Sequence, residues 1–121
     1  MSVLTEGVYT AEFVLSEANG FRSREVVTIA SGSPAMTAGH VLGKITASGK
    51  YSDFDNDAVD GTETAVAVLY ADCDASAADK EAVVIFRDAE VSDAKLVWTD
   101  EANDKAGGLV ELAAVGIVAR S

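Results

Sequence analysis

Residues 64–70 read TAVAVLY, and this run is apolar on both of its alternating faces. A run of this kind between polar stretches is typical of a strand that is buried on both sides. The flanking stretches at 52–62 and 72–80 are polar and rich in aspartate, which is the composition of exposed loops. The run therefore predicts a buried strand in a β-rich core.

Further strands are predicted from short runs of β-branched and apolar residues on either side of this one. Gly43 lies inside one of these runs and indicates a bulge or a close approach of backbone. The runs are 25–30 (EVVTIA), 41–46 (VLGKIT), 81–86 (EAVVIF, which 89–91 would continue), 95–98 (KLVW) and 115–119 (VGIVA).

One short helix is expected near residues 101–113. Thr99-Asp100 can cap it, and Glu101 falls in its first turn. We expect the helix from about 101 to 106 and again through 109–114, although Gly107-Gly108 weakens the continuation. The sum is a mainly β fold, a small barrel or sandwich of about five to seven short strands with this one helix.

The N-terminal segment, residues 1–22, is expected to form an arm in front of a single β-rich domain at 23–121. Three apolar side chains alternate onto one face with the period of a strand, and a fourth lies beside them: Tyr9, Phe13, Leu15 and Val8. Asn19-Gly20 then marks a turn, because both residues tolerate positive φ. The arm is predicted either to fold back as a hairpin or to lie extended until it meets a partner.

The acidic excess limits the classes of partner. Twenty acidic and nine basic residues give a net charge of −11 at pH 7, which repels phosphate backbones and anionic headgroups. We therefore expect neither a nucleic-acid partner nor a membrane surface, and the longest apolar stretch, 112–119, is too short to span a bilayer. Cys73 is the single cysteine, so no internal disulfide forms, which fits folding in a reducing cytoplasm.

Candidate catalytic and metal-binding residues are few, and none completes a known motif. His40 is the single histidine, no G-x-S-x-G elbow accompanies it, and we expect it at the surface or at a loop edge. The DFDND at 53–57 has the start of a calcium loop, but Ala58 and Thr64 replace the glycine and the glutamate that the loop requires. Asp72-Cys73-Asp74 lacks a second thiol or a nearby histidine. The sequence thus predicts no enzyme, no metal site and no cofactor.

A series of short strings occurs in order along the chain and covers about residues 22–120. The strings are PAMT at 34–37, VLGKIT at 41–46, GKY at 49–51, Asp60-Gly61, TAVAVLY at 64–70, DAS at 74–76, RDAEV at 87–91, LVW at 96–98 and GIV at 116–118. This ordered series resembles the head decoration proteins of tailed bacteriophages, the lambda type. The match of the arm is the least specific part of the resemblance.

The resemblance implies a β-clip type of fold and a defined assembly. Members form homotrimers on the outside of the expanded capsid at its three-fold positions, where they hold neighbouring capsomers against the pressure of packaged DNA. The N-terminal arm contacts the major capsid protein and can pair there as an added strand. The chain would then belong to the outer capsid surface of a virion and be made in the cytoplasm of a bacterial host.

Two sets of residues become candidate contacts on this resemblance. The arm would bind the capsid through apolar anchors, which are Val8, Tyr9, Phe13 and Leu15. The trimer contact or the capsid-facing contact is expected at Pro34, Ala35, Met36, Thr37 and Trp98. For Trp98, packing in the core or at an interface is the expected role, because it ends an apolar run.

Two rival functions stay open at this point. A glycan-binding or adhesion module displayed on a virion or cell predicts a concave aromatic site. A small hydrolase that uses an acidic pair predicts two close carboxylates in a cleft, at least one of them with a raised pKa.

Overall fold

The computed structural model describes residues 14–17, 24–87 and 89–120, with the backbone alone at 15–17. These residues form eight strands, one turn of 3-10 helix and one α-helix. In chain order they are β1 (Val14–Glu17), β2 (Arg24–Ile29), β3 (Val41–Lys44), β4 (Tyr51–Asp53), β5 (Ala65–Leu69), β6 (Lys80–Ile85), β7 (Ala89–Ser92), the 3-10 turn (Asp93–Lys95), α1 (Glu101–Ala114) and β8 (Ile117–Arg120).

Five strands close into a barrel in the order β2-β4-β3-β5-β6, and β6 is hydrogen-bonded back to β2. Neighbours are antiparallel except for β2 and β4, which run parallel. The register places Val26 opposite Val83, and Val68 opposite Ile85. Closure removes the free edges of this sheet, so the barrel strands are not open to pairing with another chain.

β1, β7 and β8 form a separate three-stranded sheet with β7 in the middle. β1 runs antiparallel to β7, with Val14 opposite Val91, and β8 runs parallel to β7, with Ile117 opposite Ala89. The helix α1 leads into β8 and packs against β5 and β8. The sheet and the helix thus make a second layer on one side of the barrel.

The buried residues form two clusters, because successive residues of a strand point to opposite faces of the barrel wall. The inner cluster fills the barrel with Val27, Ile29, Met36, Leu42, Ala67, Leu69, Ala75 and Val84. The outer cluster lies between the barrel and the second layer and contains Ala38, Val41, Phe54, Ala65, Val68, Ile85, Ala89, Val91, Leu96, Leu112 and Ile117. β5 contributes to both clusters, which confirms that 64–70 holds a strand buried on both sides.

The mainly β fold with one short helix is confirmed, and most predicted strands occur within a residue or two of their expected ends. Three details differ. The 95–98 run is not a strand: Lys95 ends the 3-10 turn, and the residues after it make a single bridge, between Val97 and His40. Residues 89–92 belong to the second sheet rather than continuing β6, and β4 lies where a loop was expected at 52–62. Among the described helices, none has the length and apolar content that a membrane crossing needs.

Gly43 confirms the expected close approach of backbone. The register of β3 against β5 shifts between Leu42 and Gly43, and a Cβ on Gly43 would lie 2.5 Å from the Cα of Thr62. Glycine is required here because the loop that follows β4 lies directly against the strand. The contact holds the 54–64 loop on the barrel, beside the start of α1.

Candidate interaction surfaces

His40 stands at a loop edge just before β3, as expected, but it is buried, with 8% of its surface exposed. Its Nε2 lies 3.3 Å from the Thr99 hydroxyl, and that hydroxyl donates to Asp53 Oδ2 at 2.9 Å. Because the hydroxyl gives its one proton to Asp53, its oxygen accepts from the Nε2–H of His40. An imidazole that donates to the hydroxyl cannot act as its base, so this chain of bonds fastens the 97–99 segment and does not activate a nucleophile.

His40 should make the stability of the fold depend on pH. Burial lowers the pKa of His40 below its usual value, and the charge of Asp53 opposes this only in part. The unfolded chain therefore takes up a proton near pH 6.5 while the folded chain does not. We expect the free energy of unfolding to fall as the pH drops below about 6.5 and to level off below the folded pKa.

Urea unfolding of the wild-type protein and of His40→Gln at pH 7.5 and 5.0 measures this effect. The carboxylates contribute the same pH dependence to both proteins, so the wild type should lose more stability than the variant over this interval. Equal losses would show that His40 is not the group responsible.

The acidic loop after β4 uses its carboxylates to fix its own backbone. Asp55 Oδ1 accepts the N–H of Asp57 at 3.0 Å, and Asp60 Oδ1 accepts both the N–H and the hydroxyl of Thr62, at 3.1 and 2.6 Å. The Thr62 hydrogen bonds also hold the pKa of Asp60 below its usual value. Across the described parts of the chain, no three His, Cys, Asp or Glu side chains converge on a position for a metal ion.

Asp104 joins this loop to the start of α1. Its side chain is fully buried, Oδ1 accepts the N–H of Asn56 at 3.0 Å, and Oδ2 accepts the N–H of Asp100 at 3.1 Å. A second link runs from the Asn103 amide to Asp57 Oδ2 at 2.9 Å. The loop and the helix are thus fixed to each other by two adjacent residues of the first helical turns.

The 34–37 segment lies between β2 and β3 and is fastened to the loop after β5. Met36 and Cys73 exchange two backbone hydrogen bonds, of 2.8 and 2.9 Å, and the Met36 side chain is buried in the barrel. Pro34, Ala35 and Thr37 are exposed. The segment therefore presents three small side chains to the outside from a backbone that is held in place.

Trp98 packs between the barrel and α1. Its ring meets Phe54 edge to face, with 6.1 Å between ring centroids, and its six-membered ring lies against Gly108. The indole Nε1 is buried and has no hydrogen-bond partner among the described residues. Most of the surface of the residue is buried, and packing in the core accounts for this burial.

Part of the segment predicted as an arm lies in the second sheet. Leu15 is in β1, which pairs with β7, and Val14 packs against the outer cluster. The other three proposed anchors, Val8, Tyr9 and Phe13, lie outside the described residues. The domain boundary predicted at residue 22 therefore has a strand of four residues, Val14–Glu17, on its N-terminal side.

An exposed apolar surface that was not predicted from the sequence lies on β2 and β6. Val26 is 60% exposed, Val83 stands opposite it, and the Tyr70 ring lies beside them with the Arg24 guanidinium 4.5 Å from its centroid. We call Val26, Val83 and Tyr70 the β2–β6 patch. They line an open hollow of about 380 Å³. In EVVTIA two apolar residues, Val26 and Val27, are adjacent instead of alternating with polar residues. Because successive side chains of a strand point to opposite faces, one of the two valines must point outward, and this was the signal available in the sequence.

A comparison with protein-family models gives the family. The model of the bacteriophage lambda head decoration protein D family matches residues 3–117, nearly the whole chain. The chain belongs to the lambda head decoration protein D family. No curated protein matched the sequence.

Membership of the head decoration family gives the chain a capsid decoration role and a place on the phage head. The family is one of structural capsid proteins. A hydrogen bond from Ser76 lowers the pKa of Asp74, and a hydrogen bond from Lys50 lowers the pKa of Asp79. A carboxyl group that acts as a general acid needs a raised pKa instead. Burial raises the pKa of the Cys73 thiol, which keeps it protonated and makes it a poor nucleophile.

Proposed function

We propose that this decoration protein binds as a homotrimer to the outer surface of the expanded capsid at its three-fold positions. There it stabilises the shell against the pressure of packaged DNA, and it is made in the cytoplasm of the bacterial host. The family match over residues 3–117 carries the proposal. Many weak contacts suffice for such a role, because copies that engage the shell at several points gain avidity.

The partner we propose for the N-terminal arm, residues 1–22, is the major capsid protein. β1 is an edge strand of the second sheet in the described part of the chain, and edge strands offer unpaired N–H and C=O groups to another chain. Addition of a strand to a partner's sheet supplies main-chain hydrogen bonds, while side-chain anchors supply specificity. The proposed anchors are Val8, Tyr9, Phe13 and Leu15.

The 34–37 segment is the second proposed contact, facing the capsid. Its exposed side chains, Pro34, Ala35 and Thr37, are available for contact, whereas Met36 supports them from inside the barrel. Trp98 is proposed to act in the same indirect way, by fixing α1 against the barrel. A contact built on a fastened backbone loses little conformational entropy when it forms.

Removal of residues 2–13 tests the arm. The cut leaves β1 in place, so the truncated protein should keep its circular dichroism spectrum and its unfolding midpoint. On expanded particles that lack their own decoration protein, we expect its occupancy to fall at least about tenfold, because the part of the arm before β1 and three of the four proposed anchors are lost. Sedimentation of particles with bound protein, quantified on gels, measures the occupancy.

The full-length protein and the variant Val59→Ser are the controls. Val59 is 95% exposed in the acidic loop and is far along the chain from the arm, so its replacement should leave occupancy unchanged. Wild-type occupancy by the truncated protein would contradict the role of the arm. Failure of the full-length protein to bind any expanded particle of its phage would contradict the decoration function itself.

A further inference from the structure

We infer that the β2–β6 patch is the surface through which one copy of this chain contacts the next, head to tail around a three-fold axis. The inference rests on the proposed trimer and names the surface that forms it. It assigns the self-contact to Val26, Val83 and Tyr70, which leaves the 34–37 segment for the capsid.

The patch is the uncovered part of a barrel face that is otherwise buried. Val68 and Ile85 are paired across β5 and β6 and are covered by the second layer. Tyr70 and Val83 lie two residues from them along the chain, on the same face, and the Tyr70 N–H donates to the Val83 carbonyl at 3.0 Å. Val26 extends this row onto β2. The second layer therefore ends partway across a continuous apolar face, and Val26 is left 60% exposed.

The charges around the patch fit a second copy of the chain. Arg24 and Glu25 line one end, with the Arg24 guanidinium over the Tyr70 ring, and Asp72 and Glu81 line the other end. Arg24 and Glu81 are separated by about 13 Å along the strand pair, since Glu81 is opposite Thr28. A chain of net charge −11 repels its own copies unless a cation of one meets carboxylates of the next.

Because the one cation that lines the patch, Arg24, is at one end and the charged residues at the other end are carboxylates alone, the fitting contact joins unlike ends. The Arg24 end of one patch meets the Glu81 end of the neighbouring patch, and Val26 of each copy lies nearest the axis. Contacts of this head-to-tail kind are heterologous. They close into a ring when the rotation that relates neighbouring copies is that of the three-fold axis. The second sheet and α1 lie beside the buried part of the same barrel face and stay outside the contact.

Two variants test the surface through the molar mass in solution, measured by sedimentation equilibrium over a range of concentrations. Val26→Glu places a carboxylate of each copy at the axis, and we expect association to weaken at least about 100-fold, because like charges at an interface are strongly unfavourable. Arg24→Glu should weaken association as well, and the double variant Arg24→Glu/Glu81→Arg should restore it, because exchanging the two charges keeps unlike ends together. Val59→Glu and Val110→Glu, at residues that are 95% and 71% exposed elsewhere on the surface, are the matched controls.

A trimeric wild type, trimeric controls, a folded monomeric Val26→Glu and rescue by the charge exchange would support the inference. Val26→Glu that stays trimeric would overturn it and leave the proposed function standing. If that trimer also lost particle binding, the patch would be a capsid contact, which overturns the inference too. A wild type that is monomeric at every concentration would overturn the self-contact and the proposed trimer together, while particle occupancy would still report on decoration.

Discussion

Asp104→Ala should lower the free energy of unfolding by about 2–4 kcal/mol, because it removes a fully buried acceptor and leaves two backbone donors without a partner. Those donors are the N–H of Asn56 and the N–H of Asp100, each now 3.0–3.1 Å from a carboxylate oxygen. The carboxylate also lies in the first turns of α1, where the positive end of the helix dipole favours it. Both the loop and the helix start should therefore loosen together.

Urea unfolding at pH 7 measures this effect, with Asp104→Asn and Glu101→Ala as comparisons. The asparagine keeps one acceptor oxygen and places an amide N–H₂ against the other donor, so it should lose part of the stability. Glu101 is on the same helix but 69% exposed, with Lys105 at 3.6 Å, and exposed pairs of this kind contribute little. Equal stability of Asp104→Ala and Glu101→Ala would show that the two hydrogen bonds of Asp104 do not hold the loop.

The sequence predicts most of the strands because their local signal agrees with their final environment. The runs at 25–30, 41–46, 64–70 and 81–86 are rich in β-branched residues, and each of them forms a barrel strand. β4 was missed because Tyr51–Asp53 is short and polar. Its pairing with β3 and β2 is set by closure of the barrel, for which no local pattern exists.

The incorrect strand at 95–98 and the unexpected role of Asp104 have the same cause. KLVW has strand composition, but its residues pack against α1 and the barrel, so tertiary contacts override local preference. Asp104 has the appearance of an exposed acidic residue in a first helical turn. Its partner, Asn56, is 48 residues away along the chain, so only the folded structure could reveal that the carboxylate is buried.

Among the candidate contact residues, too, tertiary contacts decide which side chains are buried. Met36 was predicted as a contact and its side chain lies in the barrel, because the bridge to Cys73 turns it inward. Pro34, Ala35 and Thr37 have no such constraint and are exposed. The family resemblance supplied the proposed assembly and its proposed partner, whereas the β2–β6 patch required the structure, since exposure of Val26 depends on where the second layer ends.

Replacement of Gly107 or of Gly108 by alanine should change the stability of the fold in opposite directions. This pair was expected to weaken the continuation of the helix, yet α1 runs unbroken through it. A Cβ on Gly108 would lie 2.4 Å from Cζ3 of Trp98 and 3.0 Å from Phe54. A Cβ on Gly107 would meet only the Asn56 side-chain oxygen, at 3.7 Å, which is an ordinary contact.

Gly107→Ala should therefore stabilise the fold by about 0.5–1 kcal/mol, because alanine loses less backbone entropy than glycine in a helix. Gly108→Ala should destabilise it by about 1–3 kcal/mol, because the Trp98 ring is held by Phe54 and must move to admit the methyl group. Thermal unfolding followed at 222 nm gives both signs, and Trp98 fluorescence should shift in Gly108→Ala alone. Stabilisation by both substitutions would show that the tryptophan can move aside freely, and the close contact between α1 and the barrel would then not depend on the glycine.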